Sequence, residues 1–142
     1  MVKEMTEMFN KISYHDLNAK QKEQFNFQKI SAVLADYGFL TIKIGDDWKG
    51  ADFLAQHVGG DMILKVQLKG RLWFEKKYIG KNIWMCFRND NFVYLYPHDD
   101  LLNIMLSSTN IKNTKSWIQD GIYHFPSLRP EFRRILEPFK LE

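Results

Sequence analysis

The sequence predicts a mixed α/β (α+β) chain in which one amphipathic helix precedes a run of strands and shorter helices flank them. Three observations lead there. Phe27, Ile30, Val33, Leu34 and Tyr37 recur at close to 3.6-residue spacing, the mark of a helix with one apolar face. Residues 39–44 alternate instead, with Leu40, Ile42 and Ile44 on one side and Thr41 and Lys43 on the other. Residues 51–69 and 82–96 each read as two strands joined by turn-prone residues, Gly59-Gly60 in the first and Asn89-Asp90-Asn91 in the second.

The totals fit one domain. The chain has 142 residues, enough for a substantial core, and its 45% hydrophobic content argues against disorder. We read residues 1–142 as a single domain: an N-terminal arm or short helix over 1–17, a core over 18–106 and a C-terminal extension over 107–142. A net charge of +3 does not by itself indicate nucleic acid, so the local distribution of charge must decide. The lone cysteine, Cys86, excludes an intrachain disulfide and reads as a core thiol. No apolar run approaches the ~20 residues needed to span a bilayer, and the first residues lack the apolar stretch of a signal peptide. The expectation is a cytoplasmic, intracellular protein without a membrane partner.

Each element has a local reason. Met5, Met8, Phe9 and Ile12 sit at helical spacing in the arm. Asn18 can cap a helix that Gly38 ends, because glycine readily takes the left-handed conformation there. Residues 45–50 read as a loop whose Asp46 and Asp47 are turn residues or metal ligands. Residues 71–81 form a basic, aromatic segment. Its cations (Arg71, Lys76, Lys77, Lys81) and interleaved rings suit a phosphate backbone and unstacked bases, or else a surface loop whose rings pack inward. Pro97 stops a strand, and His98 or Asp99 caps a short helix through Leu106, a reading set against metal or acid/base chemistry at His98-Asp99-Asp100. An edge strand or hairpin is expected around Gly121. A closing helix is expected over 126–137, with Phe132, Ile135 and Leu136 inward and Arg133 and Arg134 outward.

The chemistry concentrates on the first hairpin. Taken as a two-residue turn, Gly59-Gly60 sets Val58 against Asp61 and, stepping outward, Asp52 against Gln67. Lys69 shares their face, while Met62, Leu64, Val66 and Leu68 form an apolar row on the other. The carboxylate of Asp52, the amide oxygen of Gln67 and the backbone carbonyl of Leu68 are hard oxygen ligands of the kind Mg²⁺ prefers. An ammonium at Lys69 can orient an attacking water or stabilise charge growing on a phosphate. These are the parts of a phosphodiester hydrolase working through a metal-activated water. Glu23 or Gln28 on the preceding helix can add to the cluster, although both also read as a solvated face.

Helix, strand, Gly50-Ala51-Asp52, hairpin and then Val66-Gln67-Leu68-Lys69 resembles the PD-(D/E)xK (restriction endonuclease-like) nuclease superfamily, over about residues 25–71. The resemblance implies a helix followed by a mixed central β-sheet with flanking helices. It makes Asp52 the first acid, puts Gln67 in the second acid's place and makes Lys69 the lysine. The Gln-x-Lys form is similar to group I intron-encoded homing endonucleases, and a neutral Gln67 gives up one ligand charge. Many members place a glutamate on the first helix. Counting back from Gly38, that place falls near Phe27 or Gln28, with Glu23 about a turn earlier. The resemblance thus implies a Mg²⁺-dependent DNA endonuclease, with Mn²⁺ as a substitute, acting on duplex or branched DNA. A cut of both strands needs two active sites, hence a homodimer or higher homo-oligomer. Two alternatives stand beside it: a catalytically degenerate module of the same fold that binds nucleic acid without cutting it, and a protein-interaction domain in which the cluster is ordinary surface.

Overall fold

The computed structural model describes residues 2–48 and 50–142, and the side chains of all of them except 46–48. The predicted leading helix is α2 (Ala19–Asp36), after a short α1 (Val2–Glu7). Asn18 caps α2 in a reciprocal box: its side chain accepts from the Gln21 N–H at 2.8 Å while the Gln21 side chain accepts from the Asn18 N–H at 3.0 Å. Gly38, at φ +86°, turns the chain out of the helix. Of the predicted stripe, Phe27, Ile30 and Leu34 are buried and Val33 packs against them, whereas Tyr37, at the helix end, is exposed.

The strands are β1 (Phe39–Trp48), β2 (Ala51–His57), β3 (Ile63–Leu68), β4 (Trp73–Glu75), β5 (Ile83–Asn89), β6 (Phe92–Pro97), β7 (Ile122–His124) and β8 (Lys140–Leu141). Six of them form one sheet in the order β1-β2-β3-β5-β6-β8, and β4 pairs with β7 in a second. The large sheet is mixed. All its neighbours are antiparallel except β3 and β5, which run parallel and so need the crossover supplied by residues 69–82. The fold is therefore the expected helix followed by a mixed central sheet with flanking helices, α3 (His98–Ser108) and α4 (Pro130–Leu136).

The hairpin register is the one the glycines imply. Phe53 pairs with Val66 and Ala55 with Leu64. The connection is longer than two residues, because His57 bonds Met62 across it and Gly60 turns back onto His57. Adding one residue to each side of the turn leaves the pairing sum unchanged, so the register survives.

Several local readings change. Residues 45–48 continue β1 as backbone strand, with a register irregularity between Lys43 and Trp48, instead of forming a loop. The side chains of Asp46 and Asp47, read as turn residues or ligands, lie outside the described residues. Leu40 and Ile42 are 61% and 54% exposed, so of the apolar side of β1 only Ile44 packs against a core. Helix α2 packs on the polar side instead: the Thr41 hydroxyl donates to Ser31 at 2.8 Å, and the Lys43 ammonium lies over the Phe27 ring. Met62 at the hairpin end is exposed as well. Met5, Met8, Phe9 and Ile12 of the arm are exposed. The edge strand expected around Gly121 is β7, while residues 116–120 ahead of it coil as a π-helical turn. The closing helix begins at Pro130 instead of Pro126.

Two apolar layers sandwich the sheet. Phe27, Ile30 and Leu34 of α2 meet Phe53, Val66, Cys86 and Leu95 on one face. On the other, Phe74, Tyr78, Met85, Phe87, Tyr96 and Leu101 gather with Trp117, Phe125 and Leu136. The stretch 107–142 thus supplies core residues and a strand to each sheet. Burial pushes the Cys86 thiol well above its usual pKa, consistent with an inert core sulfur. No helix among the described residues is long and apolar enough to cross a membrane.

Candidate functional site

Beyond the pair Phe53–Val66, the register of β2 and β3 carries Asp52 to Gln67. Here Asp52 takes over a backbone role: its Oδ2 accepts from the Leu68 N–H at 2.8 Å. A carboxylate fixed by a main-chain donor has a set orientation, and charge-assisted bonds of this kind are the stronger ones. Gln67 is 8% exposed on the opposite strand, and its Oε1 is buried without a hydrogen-bond partner among the described residues. An unpaired buried carbonyl of this sort costs about 1–3 kcal/mol; Asn89 Oδ1, at the end of β5, is a second one among the described residues.

Lys69, one step past β3, is half-buried. Its N–H donates to the Cys86 carbonyl at 2.9 Å, which anchors the backbone to β5. Its ammonium lies 4.5 Å from the centroid of the Trp73 ring and 5.8 Å from that of Tyr78. Trp73 is itself held: it stacks on His124 at 4.7 Å, and its Nε1–H donates to Glu75 Oε1 at 2.9 Å. The lysine therefore rests on a fixed aromatic platform.

Glu23 and Gln28 part company. Glu23 lines the recess of about 300 Å³ that contains Asp52 and also the adjoining recess of about 330 Å³ over Leu68 and Lys69. Gln28 is exposed and lines neither. Five residues on a helix is well over a full turn, so the two point to different sides. Phe27, the other position reached by counting back from Gly38, is committed to the core, stacked on Phe53 at 5.1 Å.

The basic segment divides into inward rings and outward charges. Leu72, Phe74 and Tyr78 are buried. Lys77 pairs with Glu75 at 3.2 Å, Lys76 lies over Trp117 at 5.2 Å, Arg71 approaches His124 at 3.5 Å, and Lys81 is exposed. All four cations are exposed.

His98 is not a cap. Pro97 holds that position and His98 opens α3, fully buried. Its Nε2 accepts from the Glu75 N–H at 3.1 Å, and its Nδ1 pairs with Asp99 at 2.9 Å. Asp99 also accepts from the Gly80 N–H at 2.9 Å. Every polar atom of the imidazole is engaged inside the fold. Among the described residues, no group of three or more His, Cys, Asp or Glu could hold a metal ion.

The oxygens at the hairpin do suit a hard divalent cation, although the donor set carries little charge. Asp52 and Glu23 offer carboxylates to one recess, and the orphaned Gln67 Oε1 lies across the strand pair from Asp52. Sequence reasoning missed Asn26 and Arg88, which meet at the far end of the same trough: Arg88 donates to the Asn26 side-chain carbonyl at 2.8 Å. The two lie too far apart in sequence for any local pattern to join them.

No family model matches the sequence, and no curated protein does. Among solved structures the chain is similar to a bacterial homing endonuclease, I-Ssp6803I, at 16% identity, with a TM-score of 0.50 and coverage of 87% of this chain and 86% of that one. At that identity the likeness establishes a nuclease-like fold and nothing finer.

Proposed function

We propose that the chain is a divalent-metal-dependent DNA endonuclease of the PD-(D/E)xK kind in its Gln-x-Lys form, cleaving duplex or branched DNA as a homodimer or higher homo-oligomer. The observation that carries this is the cross-strand position that sets Asp52, aligned by the Leu68 N–H, opposite Gln67, whose buried Oε1 has no partner among the described residues. The fold shared with a homing endonuclease supports it.

Asp52, Gln67 and the Leu68 carbonyl would hold Mg²⁺, with Glu23 the auxiliary carboxylate in the same recess. When bound, the cation would acidify a water and neutralise phosphate charge. Lys69, steadied over Trp73, offers positive charge to the phosphate as a water oxygen bonds to phosphorus and an ester oxygen departs. Arg71, Lys76, Lys77 and Lys81 extend the cationic surface toward neighbouring phosphates.

The test is cleavage of supercoiled plasmid and branched DNA with Mg²⁺, Mn²⁺ or EDTA, comparing the native chain with Lys69→Ala and Asp52→Ala. Metal-dependent cutting reduced at least about 10²-fold by each substitution is expected. Cutting that survives both would move the site elsewhere. Salt-sensitive binding with no cutting would reveal a degenerate module.

A further inference from the structure

The recess over Leu68 and Lys69 does not end there. It shares Tyr14, Asn26 and Gly70 with a larger one of about 490 Å³ whose far wall is Arg88. Arg88 is half-buried and held in place. One guanidinium N–H donates to Asn26 Oδ1 at 2.8 Å, and the group lies 5.5 Å from the centroid of Phe25. Asn26 is fixed in turn by donating to the Tyr14 hydroxyl at 3.0 Å. Among the described residues Arg88 forms no ion pair, and Asp90, the acid of this recess, faces Arg133 at 3.9 Å. Two more ammonium groups gather at the corner, Lys22 over Tyr14 and Lys29 over Phe25, each 5.4 Å from the ring centroid.

A guanidinium has five N–H donors in a planar fork. Here one is used on Asn26, and that bond aims the remainder. A fork held in advance loses little freedom on binding, which is the arrangement that favours a phosphate over a diffuse counter-charge. We propose that the Arg88–Asn26–Tyr14 corner binds a second phosphate of the DNA strand, one that flanks the phosphate at Lys69, so that the backbone lies along the trough over Gly70. This rests on the nuclease reading above and adds a subsite to it.

Gly70 provides a way to test the track apart from the charge. It lacks a positive φ, and a Cβ built there meets no atom within 4 Å, so a side chain can be added without strain. It lines both recesses, so that side chain would stand in the path. The experiment is fluorescence anisotropy of a labelled DNA duplex, in EDTA, across a salt series. It compares the native chain with Arg88→Met, Arg88→Lys and Gly70→Leu, each checked by thermal melting. Arg88→Met should bind about tenfold more weakly and lower the salt slope by about 0.9, the share of one phosphate. Arg88→Lys should keep the slope with intermediate affinity. Gly70→Leu should weaken binding with an unchanged melting temperature, and it decides the matter if Arg88→Met fails to fold. Native affinity and slope in both Arg88→Met and Gly70→Leu would overturn the subsite while leaving the Asp52 and Lys69 results standing. A native chain with no salt-dependent DNA binding would remove both readings together.

Discussion

The two halves of the large sheet are built differently. Around β5 and β6 both faces are covered: Met85, Phe87 and Tyr96 are buried on one, Cys86, Val93 and Leu95 on the other. Around β1 to β3 the α2 face is covered, while the reverse is covered only near Ala51 and Ile44. On the reverse, Leu40, Ile42 and Ile63 remain 61%, 54% and 57% exposed. The second layer thins beyond β5, and Gln67, paired with Met85, is where it begins to thin. The oxygens of the candidate site thus sit at the seam, dry enough to strengthen electrostatics and close enough to open recesses to admit a substrate. Two buried polar groups also differ: His98 has both ring nitrogens bonded, whereas Gln67 at the seam has a bare carbonyl, as does Asn89 at the end of β5.

The most severe way to break the comparison is through the two apolar faces. Phe53→Ala removes a ring that is 1% exposed and stacked on Phe27, and should cost about 3–5 kcal/mol in urea unfolding. Ile42→Ser, on the open face, should change stability by less than about 0.5 kcal/mol. A loss at Ile42 approaching that at Phe53 would mean the open face is covered in solution and the halves are alike.

A smaller effect separates the two buried polar groups. Gln67→Met removes the orphaned carbonyl at similar volume and should raise stability by about 1–3 kcal/mol while lowering metal-dependent cleavage. If the substitution destabilises instead, the amide has a partner in solution and is structural.

What was legible followed from strong local rules. The hairpin register rested on turn parity, which tolerates adding a residue to each side, and on an apolar row whose central members, Leu64 and Val66, are indeed buried. The capping box and Gly38 bounded α2 closely. What failed was the choice of face on an edge strand. Alternation says that the two sides of β1 differ but not which one a neighbour will cover, and here Lys43 sets its ammonium over Phe27 while Ile42 faces out. Glu23 likewise could not be preferred to Gln28, because a count along the helix does not fix the direction of the recess. The Arg88–Asn26 bond links elements 62 residues apart and has no local signature.

The mildest test concerns pH and the closed half. Burial holds His98 below the ordinary histidine pKa, partly opposed by its hydrogen bond to Asp99 and by the charges of Asp99 and Glu75. The unfolded chain therefore takes up the proton before the folded one does. The contribution is fully present above the unfolded histidine pKa of about 6.5 and is lost as pH falls from there through the lowered folded value. Stability from urea midpoints at a series of pH values should decline below that point. His98→Gln should be less stable at neutral pH, because the Glu75 N–H and Asp99 lose their shared partner, and its decline with acid should be shallower. If the native protein instead gains stability relative to His98→Gln as pH falls toward about 6.5, the imidazole is protonated in the fold. The closed half would then hold a buried charge, and the contrast with Gln67 would reverse, since the seam would be the less costly of the two sites.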